Sequence, residues 1–337
     1  MSLTSSYLGF PLKNPMIASA SPLNANLPNL LRLEDAGAAA VVLPSLFEEQ
    51  IEAEERALDD MVISRNDSNP EALTYMPAAT SGPYGLSPER YVDLVRRARD
   101  RLAIPVIASL NGCGDAGWVE YAALMEQAGA SAIELNVQLI PTDLELSAVD
   151  VESRHLRVLR AVRAVVRIPV AVKLAPSFSA LGHFARQLVA DGANGLVLFN
   201  RFFPLDIDLI SMRLSEDLRL SDAREMHWPL LWITLLSGRT GACVGASTGV
   251  ETANDAMKYI LAGADAVMVT SSLLRHGIDH MADLVDGLGR WLDARHMTSL
   301  DEVRGLMSWQ KARDKNAYER KLHMRGLADH QLLHIGA

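Results

Sequence analysis

The stretch Gly263-Ala264-Asp265-Ala266-Val267-Met268-Val269-Thr270 decides the fold. A Gly-Ala step closes one element, a run that is apolar on both alternating faces follows, and the run ends on a hydroxyl. The same step recurs three times: Gly37-Ala38 before Ala39 to Leu43, Gly129-Ala130 before Ser131 to Asn136, and Gly192-Ala193 before Asn194 to Phe199. Glycine is favoured where a helix ends in a left-handed residue. A strand apolar on both faces belongs to a parallel sheet covered on both sides.

Further strands fill the gaps. Pro105 to Leu110 and Pro169 to Leu174 both open on Ile-Pro-Val, and Met16 to Ser19 and Ala242 to Ser247 are short apolar runs of the same kind. Helical spacing lies between them, as at Val158, Val162, Val165 and Val166 or at Trp118, Tyr121, Ala122 and Met125. Eight strand–helix units in one chain predict a closed (β/α)8 TIM barrel in preference to an open sheet. The barrel is expected over residues 1–295, with a charged helical tail over 296–337. Ala57 to Pro88, Pro141 to Asp150 and Arg201 to Glu225 are too long for plain connections and predict insertions on the active face.

The chain has 337 residues, 49% hydrophobic and 22% charged, which is ample for a large core. Its net charge of −9 argues against nucleic acid or an anionic membrane as partner. Cys113 and Cys243 are too few for a disulfide framework or an iron–sulfur cluster and suit a reducing cytoplasmic setting. No basic-then-apolar leader opens the sequence and no run approaches bilayer length. A soluble cytoplasmic protein is expected.

In such a barrel the C-terminal strand ends converge on one site. They supply Ser19 to Ser21, Ser45, Asn111, Asn136, Lys173, Asn200, Thr248 with Gly249, and Thr270 with Ser271. Lys173 stands out because it lies inside Pro169-Val170-Ala171-Val172-Lys173-Leu174, where an unpaired ammonium is costly. It needs either a carboxylate partner or an anionic ligand, and the ligand is the reading preferred here. Thr248-Gly249 and Thr270-Ser271, after the last two strands, predict a phosphate grip built on backbone amides at helix starts. Ordinary helix capping accounts for the same residues.

The ordered set of motifs resembles the dihydroorotate dehydrogenase family. Asn14-Pro15-Met16-Ile17-Ala18-Ser19-Ala20 resembles its opening strand. Glu134-Leu135-Asn136, Val172-Lys173-Leu174-Ala175-Pro176 and Phe199-Asn200 follow in its order. Thr248 to Thr252 and Ala262 to Asp265 are similar to its phosphate region. The resemblance spans about Leu3 to Leu292. It implies an FMN-dependent flavoprotein of pyrimidine metabolism, an oxidoreductase acting on a CH–CH group, with a small-molecule substrate and a homodimer as the assembly. It places Lys173 by the flavin N1 and C2 carbonyl, and Asn136 and Asn200 on the flavin or substrate. Ala20, Ser21, Ser45 and Asn111 fall beside the cofactor, and Thr248, Gly249, Thr270 and Ser271 fall on its phosphate.

The pattern breaks at the base. The family's cysteine or serine lies three residues after the asparagine matching Asn136, and that position is Leu139, or Ile140 with a different gap. Neither accepts a proton. Pro44 replaces a usual lysine, and Gly82-Pro83-Tyr84-Gly85-Leu86-Ser87 lacks the family's loop asparagine. Arg201 is new beside Asn200. A different small, cyclic and anionic substrate is therefore expected, with Arg201 and Tyr84 among its contacts. Tyr84, Thr142, Asp143 and Cys113 are the candidates for a substitute base.

Other readings are set against this one. Gly112-Cys113-Gly114-Asp115-Ala116-Gly117 matches a dinucleotide fingerprint but in the wrong unit. His276 and His280, at helical spacing, read as surface residues with no acidic partner expected, and no metal site is expected. Glu48, Glu49, Glu52, Glu54 and Glu55 read as an exposed helix face. Two function classes stand beside the oxidoreductase: an FMN protein without turnover, and a phosphate-binding lyase or synthase with Lys173 as Schiff base.

Overall fold

A computed structural model describes residues 1–54, 56, 86–114, 118–201, 205–216, 219–312 and 315. Eight parallel strands close into a barrel: β3 (Met16–Ala18), β4 (Ala40–Phe47), β5 (Val106–Asn111), β6 (Ala132–Asn136), β7 (Val170–Leu174), β8 (Gly195–Leu198), β11 (Cys243–Ala246) and β12 (Ala266–Val269). They are the strands the apolar runs predicted, and β12 pairs with β3 to complete the circle. The glycine of each Gly-Ala step has a positive φ, from +95° at Gly129 to +111° at Gly263, as a left-handed helix end requires.

Side chains alternate across the pleat, so each strand feeds two cores. One face packs under the surrounding helices. There Val158 and Val162 of Ala148–Val165 and Ala122 and Met125 of Trp118–Gln127 are buried as their spacing predicted, whereas Val165 lies 44% exposed at its helix end. The other face fills the barrel with small and branched residues such as Ala132, Ala171, Val197 and Ala266.

An N-terminal hairpin, β1 (Ser5–Tyr7) and β2 (Phe10–Leu12), sends Tyr7, Leu8 and Leu12 into the N-terminal mouth of this interior. Gly195 leaves room there, since a Cβ on it would stand 2.6 Å from the end of the Leu8 side chain, which would have to shift. The lower interior is thus plugged by apolar packing, and open space is left at the C-terminal strand ends.

The insertions differ in kind. Residues 57–85, with Tyr84 and most of the Gly82–Ser87 loop, lie outside the described residues. Pro141 to Glu145 runs exposed, ahead of a capping box between Ser147 and Asp150 that starts the next helix. The 201–225 insertion carries an antiparallel hairpin, β9 (Leu205–Asp208) and β10 (Arg213–Glu216). Leu300 and Val303 of the tail are buried, Ser299 bridges to Ser2, and Arg304 bonds the carbonyl of Ala264. Its described part is a 3₁₀ turn followed by turns where a helix was expected; residues 316–337 lie outside the described range.

Candidate active site

Strand register assembles the first half of the site. Asn111 on β5, Asn136 on β6 and Lys173 on β7 are direct neighbours across the sheet, one row of polar side chains at the rim. Two residues earlier the inward row reads Ser45, Ser109 and Glu134. Ser45 enters it because β4 bulges between Val42 and Ser45, where Pro44 has no amide to give to a ladder. Its hydroxyl bonds that of Ser109 at 2.9 Å.

These rims enclose a cavity of about 660 Å³, a size suited to a cofactor with a small ligand. Every site residue expected from sequence within the described range lines it: Ala20, Ser21, Ser45, Asn111, Asn136, Lys173, Asn200, Arg201, Thr248, Gly249, Thr270 and Ser271. Asn24, unremarked in the sequence, holds the Ser19–Ser21 turn by donating to the carbonyls of Ser19 and Val42 at 2.9 and 2.6 Å. Asn200 donates to Asn136 Oδ1 at 2.9 Å, so the two asparagines act as one unit.

Three expectations change. Lys173 Nζ stands 3.4 Å from Glu134 Oε1, with both groups buried. The lysine therefore has a carboxylate partner, the alternative set aside on sequence grounds. The reason is the pleat: Glu134 precedes Asn136 by two and so points inward beside β7. Arg201 is spent on the protein too. Its Nε donates to Glu225 at 2.8 Å and its Nη1 to the Arg219 carbonyl, so its guanidinium braces the 201–225 insertion. Glu48 is buried instead of exposed, because its carboxylate accepts the amides of Cys113 and Gly114 at 2.9 Å each. The amides of the dinucleotide-like motif are thereby satisfied by protein, and residues 115–117 lie outside the described range.

The phosphate loops come together at the other end of the cavity. Thr248 and Gly249 both adopt positive φ, +81° and +78°, four and three residues ahead of the helix cap Thr252. They form a turn before that helix and are not in its first turn. The Gly249 amide donates to Ser221 Oγ at 3.2 Å, and Ser221 Oγ lies 2.8 Å from Ser271 Oγ. Ser221 was missed because it sits inside a polar insertion with no periodicity to mark it. Asp222 beside it is held down to about 2 by hydrogen bonds from Arg224.

Leu139 and Ile140 are absent from the cavity wall, and Gln138 is on it, bonded to Asn111 at 3.4 Å. Thr142 and Asp143 are exposed. Burial pushes the Cys113 thiol up, with Glu48 adding to it. Among the described residues no carboxylate, imidazole, thiol or phenol lines the cavity. His276 has an acidic neighbour after all, since its ring bonds Glu251, and His280 faces Asp283 at 3.5 Å. No cluster of three metal-ligating side chains occurs among the described residues.

A closed α/β barrel with a polar cavity at its C-terminal strand ends is the class these features define. Residues 87–292 match the family model described as dihydroorotate dehydrogenase. The putative dihydroorotate dehydrogenase A (fumarate) of Aeropyrum pernix is 32% identical over 213 residues, 61% of this chain and 68% of its own. The catalytic subunit of dihydroorotate dehydrogenase B (NAD(+)) of Thermoplasma acidophilum is 23% identical over 319 residues, 90% and 98% of the two chains. That of Methanocaldococcus jannaschii is 24% identical over 314 residues, 90% and 97%. The chain belongs to the dihydroorotate dehydrogenase family. Among the described residues no helix is long and apolar enough to cross a membrane.

Proposed function

We propose that the protein is an FMN-dependent oxidoreductase acting on a CH–CH bond of a small, cyclic, anionic substrate. The observation that carries this is the division of one cavity into a row of amide and ammonium groups, Asn111, Asn136 and Lys173, and a separate turn of hydroxyls and amides at Gly249 and Ser271. The first suits a flat ring with many acceptors and the second a phosphate. The relatives' names, all dihydroorotate dehydrogenases, support the same reading.

When bound, FMN supplies the hydride acceptor. The protein's part is to orient and to balance charge. Lys173 would set a cation against negative charge gathering on the reduced ring, the hydrogen-bonded Asn136–Asn200 pair would orient the ring or the substrate, and the plugged lower barrel would exclude water from below. The position of the family's base is Leu139, off the described wall, so the proton that oxidation of a CH–CH bond releases goes to a group other than the family's cysteine or serine. Dihydroorotate is therefore a poor substrate.

A second copy is the partner proposed for the exposed hairpin, whose Leu205, Ile207, Leu209, Ile210, Met212 and Leu214 are 59% to 95% exposed. Sedimentation of wild type against a hairpin with these residues made polar tests it, a monomer in both refuting the dimer. For the reaction, FMN-loaded protein is mixed anaerobically with cyclic enoates, amides and dihydroorotate while flavin bleaching or reoxidation is followed. Fast reaction with one of the first two and slow reaction with dihydroorotate is expected. Bound flavin that responds to none favours the second reading, an FMN protein without turnover.

A further inference from the structure

Glu134 is a buried ionisable group that the proposed chemistry leaves unused. It is 1% exposed, its Oε1 faces Lys173, and its Oε2 has no hydrogen-bond partner among the described residues. The groups around it come from every neighbouring strand. Lys173 stands beside it on β7 and Ser109 on β5, the latter tied to Ser45 of β4 and, through its backbone, to Tyr91. Tyr7 stands below from β1, with Cys243 and Asp265 flanking it. Burial first, and Glu134 next, push the Tyr7 hydroxyl well above its usual range, so Tyr7 keeps its proton. Its hydroxyl also lacks a partner among the described residues.

Lys173 is thus one cation shared by two directions. Glu134 lies on its interior side and the cavity on the other. An ammonium cannot fully compensate two anions, and a carboxylate left uncompensated at this depth is strongly disfavoured. We propose that Glu134 is the proton acceptor of the barrel interior, taking up one proton when negative charge settles over Lys173 from the cavity side.

The inference rests on the FMN reading. A hydride donor delivers two electrons and one proton to the ring, which gains one negative charge. Glu134 gains one proton from bulk solvent, by way of the cavity side where Lys173 stands, and becomes a neutral carboxylic acid. The charge around Lys173 is unchanged, and the ammonium is released to the new anion. Glu134 is not among the residues lining the cavity, so its role is to set the charge that Lys173 offers.

Infrared difference spectra of the full-length FMN-loaded protein, oxidised against dithionite-reduced, test this directly. A protonated-carboxyl stretch should appear on reduction in wild type, shift with 13C-labelled glutamate, and vanish in Glu134→Gln. The flavin potential should fall more steeply with pH in wild type than in Glu134→Gln. The difference expected is one proton per two electrons, a tenfold change in the coupled equilibrium per pH unit or about 30 mV. The wild-type band and label shift carry the test even if the variant does not fold. Flavin that reduces with no carboxyl band, or equal slopes in the two proteins, overturns the proposal alone; a chain that takes up no flavin overturns the FMN reading and the proposal together.

Discussion

The two halves of the cavity are built by different means. Asn111, Asn136 and Lys173 owe their positions to strand register, a rigid row fixed by the sheet itself. Thr248, Gly249 and Ser221 owe theirs to loops, the first two with left-handed backbone and the third from an insertion, while Ser271 opens the short helix Ser271–His276. The rigid half presents directional amides and one cation, the loop half small donors around a point. Precision in one half and adaptability in the other is what a ring with a flexible phosphorylated tail asks for.

The largest effect expected concerns what the rigid half lacks. General base catalysis is worth about 10²–10⁴-fold, so wild type should oxidise dihydroorotate slower than its relatives by about that factor. A cysteine on the wall should recover part of it. Gln138 lines the cavity and Leu139 does not, so Gln138→Cys is expected to gain more than Leu139→Cys in steady-state turnover. The reverse order would show that the 137–140 segment turns over in the working site. Family-like rates in wild type would mean that another group, a wall hydroxyl or a residue outside the described range, serves as the base.

Next is Lys173→Ala. Loss of one preorganised charge should slow flavin reduction by roughly 2–4 kcal/mol in stopped-flow traces while flavin affinity changes less. The variant also strands Glu134 in the interior, so denaturant melts should show destabilisation of about 3–5 kcal/mol. Unchanged reduction kinetics would remove the lysine from the mechanism.

These residues show what was legible in the sequence. The barrel could be read because each strand is a short apolar run bounded by Gly-Ala or Ile-Pro-Val, signals that act locally. Lys173 could be read because a charge inside such a run is conspicuous. Its pairing with Glu134 could not, since it depends on the stagger between β6 and β7 and not on the composition of either. Arg201 and Glu48 were misread for a related reason: a charged side chain in a loop or at a helix start looks solvated until its partner, Glu225 or the Cys113 amide, is brought in from elsewhere. Ser221 carried no signal at all.

A smaller effect is expected in the loop half. Gly249 has φ +78°, and a Cβ on it would meet Met226 Cγ at 2.6 Å and the Asp222 carbonyl at 2.7 Å. Gly249→Ala should cost about 1–3 kcal/mol, read as weaker FMN binding by fluorescence titration. Riboflavin, which lacks the phosphate, should be affected less. Equal losses for the two ligands would place the phosphate elsewhere.

The smallest effect is one of pH. Burial raises the Glu251 carboxyl, but hydrogen bonds from His276 and Arg275 outweigh it and leave it below the usual range. A depressed carboxyl lends stability that is present above its ordinary titration range and is lost as pH falls through the lowered one. Thermal melts should therefore show wild type losing its advantage over Glu251→Gln on acidification through that window. Parallel melting curves across it would discount the cluster.

The division of the cavity is tested most directly by the flavin itself. Purified protein, or protein reconstituted with excess flavin and desalted, is denatured and the released cofactor identified and counted by chromatography. The account predicts non-covalent FMN at one per chain, taken up in preference to FAD because the loop half closes around a terminal phosphate. A colourless protein after reconstitution, or one that selects FAD, would contradict it.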